Sequence, residues 1–318
     1  MVFSPPVRVG FIGLGNMGLP MALNLQAAGY TVCAHDRRRA VAEPLLQAGG
    51  HWCGTVAEVA ATADVICLSL PGPLETRTVF DGEGGLGAVL RPGSIVVDFT
   101  TNSPLLIREL AAALGARQVA LLDAPVSGGV TGARSRRLTV QVGGPADALE
   151  RVRPVIEAMA TTVLHVGAVG TGNTCKILHN CAVFCADLAM VECLTAGIKA
   201  GVAADTLIEV FQKSGLGRNH DLHVALPARL FRGHFSPPHF ALKTALKDMG
   251  LATELAEAIG VPMAIASHCQ QEMRDAVARG WGDHDENIFL TLQEERAGVQ
   301  VRYQAVPPFP HESSPHRS

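Results

Sequence analysis

The sequence predicts an α/β domain built on a doubly wound sheet, followed by a second, all-helical domain. Three observations carry that expectation. In the first half, short β-like runs alternate with Ala-rich segments of helical length, the pattern of a parallel sheet with helices on both faces. A glycine-rich stretch, Gly13-Leu14-Gly15-Asn16-Met17-Gly18, stands between the first run and the first helical segment. After about residue 167 no β-like run of comparable quality recurs, and long apolar-periodic stretches replace them.

In order, the β-like runs are 7–12, 30–34, 65–70, 94–99, 118–124, 138–142 and 163–166, with helical segments such as 17–28 and 105–115 between them. Connections between parallel strands are expected to be right-handed crossovers. The second half shows helical periodicity over 171–200, 203–214, 240–259, 263–279 and 286–297. Gly201, Gly260 and Gly280 fall where these helices would stop, and Pro262 where the next would start. The expected division is a dinucleotide-binding, Rossmann-type domain over 1–167 and a helical domain over 168–300, with a flexible tail over 301–318. The last sixteen residues hold four prolines and little apolar material, too little to offset the entropy of ordering them.

A chain of 318 residues suits two domains. Its net charge of −3 is spread without a basic block, which argues against nucleic-acid or anionic-membrane partners. Eight cysteines occur and none forms a CxxC pair. Cys175, Cys181, Cys185 and Cys193 share one apolar helical stretch and read as reduced, buried thiols, as in a reducing cytosol. Only six residues, MVFSPP, precede the first run, so no signal or transit peptide is expected. The longest apolar stretch, about 175–202, carries Lys176, Asp187, Glu192 and Lys199, which disfavours a membrane span. A soluble, cytoplasmic protein is expected.

A bare GxGxxG is weak evidence, but here a strand is expected before it and a helix after it, as the dinucleotide fingerprint requires. Gly13 permits the tight turn, Gly15 lets the backbone approach a pyrophosphate, and Gly18 lets helix and strand pack closely. The helix start offers free N–H groups to phosphate. Asp36, eighteen residues after Gly18 at the end of the second run, can accept from ribose hydroxyls and would repel a 2′-phosphate, which favours NAD. Arg37, Arg38 and Arg39 follow it directly. They could pair with that phosphate, keeping NADP as the alternative, or form a solvated helix start.

Three further segments could carry a reaction. Asp123-Ala-Pro-Val-Ser127-Gly128-Gly129 ends a β-like run; such a loop can present backbone N–H groups to a carboxylate, or be an ordinary turn. In Gly170-Thr-Gly172-Asn173-Thr-Cys-Lys176-Ile-Leu-His-Asn180, Lys176 and Asn180 share a helix face one turn apart. Lys176 either snorkels to solvent or sits in a cleft, where desolvation suits it to proton transfer. The third segment, Phe240 to Asp248, holds Lys243 and Lys247 at i,i+4 and reads by itself as an amphipathic surface.

In this order and spacing these segments resemble the 3-hydroxyisobutyrate dehydrogenase family of β-hydroxyacid dehydrogenases, over roughly residues 7–297. FIGLGNMGLPMALNL at 11–25 matches down to Met17, Met21, Ala22 and Asn24; Leu70-Pro71 and Asp98-Phe-Thr100-Thr101 match further segments. The resemblance implies that Leu70, Pro71 and Thr101 line the nicotinamide side, and that Ser127, Gly128, Gly129 and Asn180 hold the substrate. It makes Lys176 the catalytic residue, and Phe240 and Lys247 the residues that close over the cofactor. It also implies a small hydroxy acid substrate, a linking helix over about 171–200, and a homodimer or homotetramer.

Ala27, His179 and the pair Arg136-Arg137 depart from the family pattern. The two arginines could serve a second acidic group on the substrate or belong to a surface loop. An imine reductase of related architecture is one alternative, disfavoured by Lys176. A non-catalytic dinucleotide-binding protein on the same fold is another, disfavoured by the intact lysine and Ser-Gly-Gly loop. No metal is expected: His220 and His223 flank Asp221 but read as a solvated loop. Residues 216–222 are expected to help shape the substrate pocket.

Overall fold

A computed structural model describes residues 2–5, 7–199, 201–213, 224–258 and 264–303. The chain divides into two compact units, Met1–His179 with Glu254–Val261 and Asn180–Thr253 with Pro262–Ser318. The first unit thus runs past residue 167 into the opening turns of a long helix, because hydrogen bonds from Gly170 and Asn173 tie those turns to the sheet.

The first unit is a sheet with helices on both faces. Its strands are β1 (Arg8–Ile12), β2 (Thr31–His35), β3 (His51–Trp52), β4 (Val65–Leu68), β5 (Ile95–Asp98), β6 (Ala120–Asp123), β7 (Val126–Ser127), β8 (Leu138–Gly143) and β9 (Ala160–Gly167). Their order is β3-β2-β1-β4-β5-β6-β8-β7, with β9 on the other side of β8. The strands from β3 to β6 are parallel, but β8 runs antiparallel to β6 and β7. The parallel sheet expected from the alternation is thus found from β3 to β6, while β8 and its parallel neighbour β9 run opposite to them. β6 and β7 pair with β8 in one continuous antiparallel register, Asp123 opposite Gly143 and Val126 opposite Val140, so the chain turns back through Gly128–Gly129 and α7 (Gly129–Arg134) to lie beside its own strand. Strands β3 and β7, two residues each, are too short to show alternation.

Burial on both faces explains the continuous apolar runs of β4 and β5. On one face α1 (Gly18–Ala27), with Met21 and Leu25, packs with α2 (Glu43–Gln47), α7 and α8 (Ala146–Glu157), the last contributing Leu149, Val152 and Ile156. On the other lie α3 (Val56–Thr62), α4 (Pro73–Asp81), α5 (Leu86–Val89) and α6 (Pro104–Gly115), which bury Val59, Phe80, Leu86 and Ile107. Thr55 and Ser103 accept from Glu58 N–H and Leu106 N–H, capping α3 and α6.

Helix α9 (Thr171–Lys199) is followed by α10 (Ala204–Lys213), α11 (Leu226–Ala228), α12 (Leu242–Ala258), α13 (Ala264–Ala276) and α14 (Thr291–Ala297). The stretch expected as a helix to 279 changes at Val277 into a wider turn through Gly280, whose φ of 86° needs no side chain. That expected from 286 opens as a 3₁₀ turn over Glu286–Leu290. One β-bridge, Ala241 to Asp285, accompanies these helices. Among the described residues no helix is long and apolar enough to cross a membrane. Cys181 and Cys269 are buried, whereas Cys175, expected inside, is exposed because its face of α9 turns outward.

Candidate active site

Register aligns the carboxyl edge of the sheet. Ile12 pairs with His35 and with Leu68, Leu68 with Asp98, and Asp98 with Asp123. The loops that leave these strands, beginning at Gly13, Asp36, Ser69, Phe99 and Ala124, therefore emerge in one row. The strand order reverses between β1 and β4, and ligands of open α/β sheets bind outside the carboxyl ends at such a switch point.

The fingerprint glycines differ in what surrounds them. A Cβ on Gly13 would lie 2.2 Å from Ser69 O, and one on Gly18 would lie 2.0 Å from Gly13 O. These two positions are glycine because backbone passes there. A Cβ on Gly15 meets nothing within 4 Å, so its lack of a side chain leaves open space at the start of α1. Gly15 and Asn16 are exposed, Leu14 is buried and Met17 half-buried. Such an open cradle of backbone beside a helix start fits a dinucleotide pyrophosphate. Asp36 binds the same loop: its Oδ2 accepts from Leu14 N–H at 2.9 Å and its Oδ1 from Arg38 N–H at 2.9 Å. Arg37, Arg38 and Arg39 are exposed. Leu70 N–H donates to Thr100 Oγ1 at 3.0 Å, linking the loops after β4 and β5; Leu70 and Thr101 are half-buried and Pro71 exposed.

The Ser-Gly-Gly loop lies between β7 and α7, with φ of 124° at Gly128 and 57° at Gly129. Both angles are costly for residues with a Cβ. Lys176, half-buried in the second turn of α9, donates from Nζ to Ser127 Oγ at 3.3 Å. Its amino end is thus turned to the loop.

Beneath this pair lies a feature that composition and spacing did not single out. Asp123, with no exposed surface, accepts from Gly170 N–H (2.6 Å) and Asn173 N–H (2.7 Å). Burial pushes its carboxyl up to about 7, and the neighbouring Asp98 adds to this, while the two N–H donors pull the other way. Asn173 and Asn102, both fully buried, continue the network. The only hint in the sequence was a polar residue closing an apolar strand.

In the second unit Asn180 donates from Nδ2 to Asp248 Oδ2 at 2.7 Å, and Lys247 Nζ lies 3.0 Å from Asp248 Oδ1. Asp248, 1% exposed, therefore joins two expected site residues and was missed as a partner of either. Phe240 is half-buried and accepts through its carbonyl from Glu286 N–H. Arg136 donates to Asn24 Oδ1 at 3.4 Å and Arg137 to Ser135 Oγ at 3.2 Å. No group of metal-ligating side chains occurs among the described residues. His220, Asp221, His223 and the rest of 216–222 lie outside them, as does most of the expected tail.

Residues 8–167 match the family model described as the NAD binding domain of 6-phosphogluconate dehydrogenase. Residues 170–292 match that described as NAD-binding of NADP-dependent 3-hydroxyisobutyrate dehydrogenase. The 2-(hydroxymethyl)glutarate dehydrogenase of Eubacterium barkeri is 33% identical over 295 residues, covering 93% of this chain and 97% of its own. The mitochondrial 3-hydroxyisobutyrate dehydrogenase of Mus musculus is 33% identical over 292 residues, 90% of this chain and 87% of its own. Among solved structures, that of Mycobacterium tuberculosis 3-hydroxyisobutyrate dehydrogenase with L-serine superposes with a TM-score of 0.82 at 30% identity, over 92% of this chain and 99% of that one. An imine reductase from Pseudomonas sp., at TM-score 0.58 and 18% identity over 92% of this chain and 99% of its own, shares the fold.

Proposed function

The chain belongs to the 3-hydroxyisobutyrate dehydrogenase family of NAD(P)-dependent oxidoreductases, and on that premise we propose that it interconverts a small 3-hydroxy acid and its semialdehyde or keto acid, with Lys176 as general acid/base and NAD preferred. The observation that carries this reading is the approach of Lys176 Nζ to Ser127 Oγ, 3.3 Å apart. It sets a proton-transferring group beside a loop whose backbone N–H groups suit a carboxylate.

The nicotinamide, when bound, supplies hydride acceptance and donation. The protein's own part is binding, orientation and proton transfer. Ser127, Gly128 and Gly129 hold the substrate carboxylate, and Asn180, one turn along α9 from Lys176, adds a polar contact. Neutral Lys176 takes the proton of the substrate hydroxyl in oxidation and returns it in reduction. Leu70, Pro71 and Thr101 border the nicotinamide side, and Phe240 and Lys247 cover the cofactor. The preference for NAD rests on Asp36. Its carboxylate lies against the fingerprint loop, where a 2′-phosphate would meet like charge. A cytoplasmic homodimer or homotetramer goes with this reading, and sedimentation reports the oligomer.

The test is a panel of 3-hydroxyisobutyrate, L-serine and 2-(hydroxymethyl)glutarate with each cofactor, for the protein and for Lys176→Ala. Turnover on at least one compound should fall a hundredfold or more in the variant, as expected for loss of a general acid/base, while cofactor still binds. Wild-type kcat in Lys176→Ala would refute the role given to Lys176. A higher kcat/KM with NADP than with NAD would refute the weight placed on Asp36.

A further inference from the structure

We propose that Asp123 is a positioning residue for this reaction: with Asn173 and Asn102 it holds the start of α9, and so Lys176, in register with the loops that follow β4 and β5. The inference rests on the reading of Lys176 above and extends it to residues that touch no substrate.

The carboxylate of Asp123 receives Gly170 N–H on Oδ1 at 2.6 Å, and on Oδ2 both Asn173 N–H at 2.7 Å and Asn173 Nδ2 at 3.4 Å. Donors at a helix start have no partner within the helix, so this side chain anchors α9 to the end of β6. Two glycines make room for it. A Cβ on Gly143 would lie 2.5 Å from Asp123 Oδ1, and one on Gly172 would lie 2.5 Å from Asp123 O and 3.0 Å from Oδ2. An ordinary cap at the surface needs no such cradle.

The network then continues across the sheet edge. Asn102 N–H donates to Asn173 Oδ1 at 2.6 Å, and Asn102 Nδ2 donates to Thr76 Oγ1 at 2.7 Å and Asp98 Oδ2 at 3.2 Å. Asp98 Oδ1 accepts from Thr100 N–H at 3.0 Å, and Thr100 Oγ1 from Leu70 N–H at 3.0 Å. Asp98, Asn102, Asn173 and Asp123 have no exposed surface. An unbroken hydrogen-bonded path, buried except where it reaches Leu70, thus joins the Leu70 loop to the helical turn that precedes Lys176. Buried networks whose members are satisfied are rigid, and rigidity is what a proton-transferring group needs, since displacement of about 1 Å costs about a hundredfold in rate.

Asp123→Asn keeps the shape but turns one acceptor into a donor facing an N–H. Asn173→Ala removes the link to Asn102. Each is assayed as the full-length protein with the substrate found in the panel, with kcat normalised to the fraction that binds NADH, so that unfolded protein does not register as lost rate. In both variants kcat should fall at least tenfold, with KM for cofactor and substrate within about twofold. A purely structural role would lower the melting temperature and leave normalised kcat untouched; that result in either variant overturns the inference. If Lys176→Ala retains wild-type kcat, the reading of Lys176 has failed. If Lys176→Ala is inactive while the Asp123 and Asn173 variants turn over normally, only the positioning role has.

Discussion

Replacing Gly15 by alanine should separate cofactor binding from folding, because this fingerprint glycine faces space and its neighbours face backbone. The added methyl meets nothing within 4 Å in the protein, and Gly15 is not among the glycines with positive φ. Folding should therefore change by no more than about 0.5 kcal/mol, the range for surface substitutions, or about 2 °C in Tm. The same methyl lies where the backbone must approach the pyrophosphate. Loss of one hydrogen bond to a charged phosphate costs about 1.5–3 kcal/mol, so Kd for NAD should rise about 10- to 150-fold. Gly18→Ala supplies the contrast. Its Cβ would lie 2.0 Å from Gly13 O and 3.2 Å from the Phe11 ring, and overpacking of about 2 kcal/mol should lower Tm by about 4–8 °C. Thermal unfolding without ligand and titration with NAD are the two assays. Unchanged NAD affinity in Gly15→Ala, or a Tm loss equal to that of Gly18→Ala, would refute the reasoning.

Two stability predictions accompany it. Arg136 adopts φ of 59° on an exposed turn, with one long contact to Asn24. Arg136→Gly should relieve about 1–2 kcal/mol of left-handed strain against about 0.5–1 kcal/mol of added chain entropy, raising Tm by about 2 °C; a lower Tm means the contact to Asn24 outweighs the strain. Asp123 titrates at about 7 in the folded protein, against about 3.9 in an unfolded chain. The folded state then holds the extra proton between about pH 4 and 7, so this contribution to stability is full below pH 4 and lost as pH rises through 7, by at most about 4 kcal/mol. The Tm of Asp123→Asn relative to wild type should accordingly rise between pH 5 and 8, and parallel curves across that range would count against a raised Asp123 pKa.

What could be read from the chain alone was whatever depends on nearby residues. The strand, Gly13–Gly18 and α1 are contiguous, so the dinucleotide unit is legible from residue order. The apolar runs of β4 and β5 announced a sheet covered on both faces, and helical periodicity located α9 and α12. The mixed sheet was not legible, because the direction of β8 is set by pairing with β6 and β7, not by its own residues. Arg136 illustrates the same limit, since its strained φ is imposed by the turn into β8 and leaves no mark on residue type.

The local pattern determined the fold class, the cofactor class and the candidate loop and lysine. Tertiary structure decided what those residues touch: that Lys176 Nζ meets Ser127 Oγ, that Asp36 lies on the loop it follows, and that Asp248 holds Asn180. Above all it decided the place of Asp123. That residue is 47 positions from Gly170 and 50 from Asn173. Helix and strand periods carry information over a turn or two, whereas contacts at such separations exist only once the sheet has brought its strand ends into a row.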